Sequence, residues 1–152
     1  MMFKGYTMIY LICLIIVAAD QLIKLVINNK FICGQSLPVI KNIFHLTYVK
    51  NTGAAFGIFQ NQNMFFIIST LVIIVIMLIY INKINKKSIW FKLAAGLILG
   101  GAVANLIDRI RVGCVIDYLD FRIWPVFNLA DSSVVIGAGI IVLLFLQGEE
   151  LL

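Results

Sequence analysis

The sequence predicts an all-α membrane protein of four transmembrane helices, with a small extracytoplasmic β-sheet between the first and second. Three observations predict it. The 152 residues are 62% hydrophobic and 12% charged, with a mean hydropathy of +1.07; a soluble domain is about half apolar and about a quarter charged. Four apolar runs, residues 7–27, 64–81, 91–108 and 126–146, have the length a helix needs to span a bilayer core. Residues 43–49, IFHLTYV, are instead aromatic and β-branched with partial alternation, which is a strand signal. The whole chain, residues 1–152, reads as a single integral-membrane domain.

The first run is broken by Asp20, Gln21 and Lys24, all near its C-terminal end. Its long apolar core lacks a small-residue cleavage site, so it is expected to stay as a helix and not to be removed as a leader. Residues 28–63 are mixed, punctuated by Gly34, Pro38, Gly53 and Gly57, and are expected to form a sheet or ribbon at the membrane interface. The run at 64–81 holds no ionisable group and reads as lipid-facing scaffold. Residues 82–92 carry Lys83, Lys86, Lys87 and Lys92 beside Trp90 and Phe91, as expected of a short cytoplasmic loop with an interfacial aromatic belt. Gly96, Gly100 and Gly101 in the third run are suited to close helix approach. Four spans put both termini on the cytoplasmic side with that loop.

Net charge is +5, but the basic residues flank greasy runs singly or in the lysine loop. They read as topology signals and contacts to membrane lipids. No basic groove with interleaved aromatics exists, so nucleic acid is not an expected partner. Three cysteines, Cys13, Cys33 and Cys114, form no regular framework, although Cys33 and Cys114 are both expected outside and a disulfide between them stays open. One histidine, His45, and no C-x-x-C exclude an ordinary zinc site, so neither a metal nor another cofactor is expected.

Residues 100–137 concentrate the charge: Asp108, Asp117, Asp120 and Asp131, with Arg109, Arg111 and Arg122. Ionisable groups at membrane depth are costly and mark functional sites. Asn105, Asp108 and Arg109 stand at i, i+3 and i+4; Asn128 and Asp131 stand at i, i+3. Asp117 lies between them, in an expected loop that returns to the same membrane face, so Asp117 and Asp131 can converge. Two carboxylates in a poorly hydrated place share a proton. The ionised one can take a proton from water while the neutral one steadies an oxyanion. Ser132 and Ser133 have no base placed to activate them. Blander readings also stand. Asp108 fits an ion pair with Arg109 or Arg111, Asp120 and Arg122 fit a solvated face, Asn51 fits a turn cap, and Asp20 with Lys24 fits a structural i, i+4 pair. Intramembrane acids would equally suit a proton-coupled transporter, and a non-enzymatic membrane scaffold also stays open.

Five strings carry more: DQLIK at Asp20, NTGAAFG at Asn51, GGAVANLIDR at Gly100, VIDY around Asp117 and FNLADSSVVIG from Phe127. Their order and spacing resemble the lipoprotein signal peptidase family, the membrane aspartyl peptidases also called signal peptidase II. The resemblance covers nearly the whole chain. It implies a four-helix fold with a β-cradle in a bacterial plasma membrane and an active site near the extracytoplasmic face. The implied reaction is metal-independent cleavage of diacylglyceryl-prolipoproteins just before the lipid-modified cysteine. Asp117 and Asp131 match the family's catalytic pair. Asn51, Asn105, Arg109 and Asn128 match residues that line the site and hold substrate or the inhibitor globomycin, and Asp20 matches a structural aspartate. Lys24 and Asp108 are expected to be structural polar residues too, and the protein is expected to be a monomer. The pattern departs at Ala104, where glycine is usual, at Tyr118, where phenylalanine is usual, and in a short 117–131 connection.

Overall fold

The computed structural model describes residues 4–53 and 58–149. Gly57 and the rest of residues 54–57 in the NTGAAFG string, together with Glu150, lie outside the described residues. In chain order the elements are α1 (Lys4–Lys30), β1 (Ser36–Ile40), β2 (Phe44–Asn51), α2 (Asn63–Asn85), α3 (Ile89–Val112), β3 (Val115–Asp120) and α4 (Leu129–Leu146). The four helices are long and apolar enough to cross a membrane. The fold class is the one the sequence predicts, with one strand more.

That strand is β3. Residues 115–120 were expected as loop, yet they complete an antiparallel sheet of order β1-β2-β3. The signal for it is present in VIDYLD. Ile116 and Tyr118 point to one face, where they pack with Ile27 of α1 and Tyr48 of β2. Val115 and Asp117 point to the other, opposite Asn51 and Val49 of β2. Period-two alternation is the strand signature, but here both faces are buried and each carries one aspartate, Asp117 or Asp120, in place of a solvated polar row.

The helices pack through small residues. A side chain at Gly100 would press on the Cys13 backbone of α1, and one at Gly101 would come within 2.3 Å of the Ala130 carbonyl of α4. α3 is therefore the central helix, in close contact with both α1 and α4. α2 presents mostly exposed aliphatic side chains, Leu71, Val72, Ile76 and Ile79 among them, and these have lipid, not water, as their solvent. Near the α2–α3 turn, Ile9, Ile84, Phe91, Ala95 and Leu144 form one apolar core. At the sheet end the Ile27 and Tyr48 cluster forms another. Between the two cores lies a layer of buried polar side chains.

Candidate active site

The start of α4 organises this layer. α4 begins at Leu129 and not at the start of the apolar run, because Asn128 is its N-cap. The first N–H groups of a helix have no partner within it, and here side chains satisfy them in turn. Leu129 N donates to the Tyr118 hydroxyl at 3.1 Å, Ala130 N to Asp20 Oδ1 at 3.1 Å and Asp131 N to Asn128 Oδ1 at 2.8 Å. Asp131 Oδ2 accepts from Asn128 N at 3.1 Å, closing a capping box. Asp131 therefore stands in the first turn of α4, where the helix dipole favours a carboxylate, and not deep within the span.

Asn128 joins the two aspartates. Fully buried, it caps Asp131 with its backbone N–H and Oδ1, and its Nδ2 donates to Asp117 Oδ1 at 2.7 Å. Asp117 Oδ2 accepts from Asn51 Nδ2 at 2.9 Å. The sheet register explains that contact: Val49 stands opposite Asp117 and Asn51 opposite Val115, so Asn51 is its diagonal neighbour on the same face. Asn51 Oδ1 also accepts from Gly53 N at 3.0 Å. The turn cap and the site contact are thus two ends of one amide.

α3 supplies the third wall. Asn105 Nδ2 donates to Asp131 Oδ1 at 2.7 Å, and Asn105 Oδ1 accepts from Asn128 Nδ2 at 3.1 Å. Arg109 is buried. Its Nη2 donates to the Gly53 carbonyl at 2.8 Å, its guanidinium lies 4.2 Å from the Phe66 ring centroid, and its Nη1 makes no hydrogen bond among the described residues. Ser132 and Ser133 donate their hydroxyls to the carbonyls of Asn128 and Leu129. Burial and the charge of Asp131 together push the Asp117 carboxyl up to about 7, despite the amide donors from Asn51 and Asn128.

Two charge assignments from the sequence need correction. Asp108 pairs with neither Arg109 nor Arg111. Asp108 and Arg109 are adjacent on the helix and do not face each other, and Arg111, three residues on, is exposed where Asp108 is buried. Asp108 turns to α1, where its Oδ2 lies 2.7 Å from Lys24 Nζ and also accepts from Ile116 N at 3.1 Å. Asp120 is not on a solvated face. It is buried, accepting from Thr47 Oγ1 at 2.7 Å and from Arg122, whose side chain is half exposed. Burial opposes its ionisation, but the Thr47 and Arg122 hydrogen bonds hold it below the usual carboxylate range. The Asp20–Lys24 pair is present at 2.7 Å. Cys33 and Cys114 are both free thiols, so the disulfide left open is not formed.

Sequence reasoning missed Tyr118 as a cap of α4, and the third partner of Lys24, Asn105 Oδ1 at 2.9 Å. The contact to Asn105 has no local signal, because the two residues lie on different helices. Among the described residues no three His, Cys, Asp or Glu side chains are grouped as ligands for a metal ion.

The chain is matched over residues 12–147 by the family model described as Signal peptidase (SPase) II. It is 54% identical over 143 residues to the lipoprotein signal peptidase of Halothermothrix orenii, covering 94% of this chain and 98% of that protein. It is 46% identical to the lipoprotein signal peptidase of Moorella thermoacetica, over 92% of this chain and 95% of that one. Among solved structures, a bacterial membrane enzyme determined by the in meso method at 2.3 Å resolution superposes with a TM-score of 0.86 at 33% identity, over 95% of this chain and 90% of that one. A second such enzyme, at 1.9 Å, gives a TM-score of 0.83 at 32% identity, over 97% and 96%.

Proposed function

This chain belongs to the signal peptidase II family of membrane peptidases, and from that premise we propose that it cleaves prolipoproteins with water activated by the Asp117–Asp131 pair. One observation carries the assignment: Asn128, itself fully buried, hydrogen-bonds both carboxylates at once.

The roles follow from the surroundings. Asp131 receives the Asn105 amide and the Asn128 backbone N–H at the start of a helix, a setting for an ionised carboxylate. Asp117, with its carboxyl pushed up to about 7, holds the shared proton. Asp131 takes a proton from water as the oxygen attacks the scissile carbonyl, and Asp117 gives its proton to the developing oxyanion. The tetrahedral intermediate then collapses. The amine leaves with the proton held by Asp131, the carbonyl re-forms, and its hydroxyl proton returns to Asp117. The enzyme ends as it began, with no covalent intermediate. Arg109, with one guanidinium nitrogen unspent, and Asn51 are the groups that would steady substrate backbone.

The substrate is a diacylglyceryl-modified prolipoprotein, cut just before the lipid-bearing cysteine. Such a substrate is itself anchored in the bilayer, which fits a site at the helix ends beside an apolar-faced sheet. The lysine-bearing turn between α2 and α3 and both termini lie in the cytoplasm, with the site at the opposite, extracytoplasmic face of the plasma membrane. Globomycin-type inhibitors compete for this site, and the working unit is a monomer.

The test is cleavage of a diacylated prolipoprotein peptide by the purified enzyme, with and without globomycin. Asp117→Asn and Asp131→Asn should each abolish cleavage while still inserting into membranes. Wild-type turnover by either variant would sink the pair.

A further inference from the structure

Lys24 is almost fully buried, and its ammonium has three oxygens around it. Nζ lies 2.7 Å from Asp20 Oδ2, 2.7 Å from Asp108 Oδ2 and 2.9 Å from Asn105 Oδ1. The first two contacts are a buried ion triad. The third leads towards the candidate site, and a merely structural pair has no need of it.

An ammonium has donors and no acceptor. The atom of the Asn105 amide that faces it must be the oxygen, so the other end, the NH2, faces Asp131 Oδ1 at 2.7 Å. The same Asn105 oxygen accepts Nδ2 of Asn128, whose amide also donates to Asp117 Oδ1. A direction runs through the chain: cation, carbonyl, amide N–H, carboxylate. With the amide reversed, a carbonyl oxygen would face Asp131, and that contact is acceptable only when Asp131 carries a proton. A cation on the carbonyl also polarises the amide and makes its N–H the stronger donor.

We propose that Lys24 is a positioning residue that acts through Asn105, fixing and polarising that amide so that Asp131 is held as the ionised partner of the pair. The proposal rests on the assignment of Asp117 and Asp131 as the reacting carboxylates. The charged and titratable groups around this path are Asp20 on the same helix, Asp108 and Arg109 from α3, Asp117 and Tyr118 from β3, and Asp131 from α4. Asp20 and Asp108 keep the ammonium in place and leave the triad with one net negative charge. The influence of Lys24 on the pair therefore comes from orientation and nearness, not from an excess of positive charge.

The experiment measures kcat/KM for a diacylated prolipoprotein peptide across pH 5 to 9, with purified wild type, Lys24→Met, and the double variant Lys24→Met with Asp108→Asn. The double variant returns the triad's net charge to minus one while leaving Asn105 without its cation. Loss of the cation disfavours the carboxylate form, so the bell-shaped profile should move to higher pH. A displacement of about one pH unit is expected, which is about a tenfold loss on the acid limb, and it should persist in the double variant. A uniform fall in rate with both limbs unmoved would reduce Lys24 to a structural role. Return of the wild-type profile in the double variant would mean that net charge, and not Asn105, transmits the effect. Where Lys24→Met alone does not fold, the charge-balanced double variant decides. Asp117→Asn and Asp131→Asn run alongside: if they cleave, the catalytic assignment fails; if they are inactive and the profile does not move, only the role of Lys24 fails.

Discussion

Gly101→Ala adds one methyl group at the tightest helix contact near the site. Its Cβ would stand 2.3 Å from the Ala130 carbonyl oxygen and 2.7 Å from Val134 Cγ2. The first neighbour is backbone, so it cannot rotate aside. To restore ordinary contact, α4 must retreat from α3 by roughly 1 Å, and overpacking of this kind costs about 1–3 kcal/mol. The displaced residue precedes Asp131, and Asn105 on α3 must then reach further to Asp131 Oδ1, now 2.7 Å away. Misplacement of a reacting group by about 1 Å can cost about 10²-fold in rate. The expected result is a kcat on a diacylated peptide lowered by about two orders of magnitude, with a lower unfolding midpoint in detergent. Gly139→Ala is the matched control: a Cβ there meets nothing within 4 Å, and the gain in helix propensity is about 1 kcal/mol, so activity should be unchanged. Wild-type kcat in Gly101→Ala would refute the reasoning, because it would show that the α3–α4 spacing does not hold the carboxylates in place.

Asp117 should limit stability at higher pH. Its folded carboxyl titrates near 7, above the ordinary aspartate value; such a group favours folding below its unfolded value, and that contribution is lost as pH rises through the folded one. Asp117→Asn should therefore stabilise the protein by a few kcal/mol at pH 8 but not at pH 4, as read by thermal unfolding in detergent; equal effects at both would disprove it. Asn128→Ala should lose about 1 kcal/mol as a cap and about 10²-fold or more in kcat as a donor. Asn128→Ser keeps an N-cap acceptor but loses the Nδ2 donor, so it should recover stability and not activity; recovery of both would contradict the bridging role.

The membrane spans were legible because lipid imposes one demand on every residue of a span, and composition alone reports it. The Asn128–Asp131 spacing was legible because a capping box is local. β3 was not, since its two aspartates, Asp117 and Asp120, stand three apart and fall on opposite faces, which breaks the period-two pattern. Asp108 was misassigned by sequence proximity to Arg109, although its partner Lys24 lies on another helix. Asp120 looked solvated because its neighbour Arg122 is, while the acceptor side of that pair is covered by Thr47 from β2. In each case the missing information was tertiary: which distant element fills the remaining lone pair.

The capping of α4 by Asp20 joins residues 110 positions apart in the chain, and this has a consequence for biogenesis. A nascent chain that has inserted α1 to α3 already holds Asp20, Lys24, Asn105 and Asp108. It has no Asn128 to bridge to Asp117 and no Asp131. α4 and its cap bring Asp131 and the amide that joins it to Asp117. The polar layer is therefore completed only when α4 docks, and a chain inserted as far as α3 holds most of the layer without the amide that bridges Asp117 to Asp131.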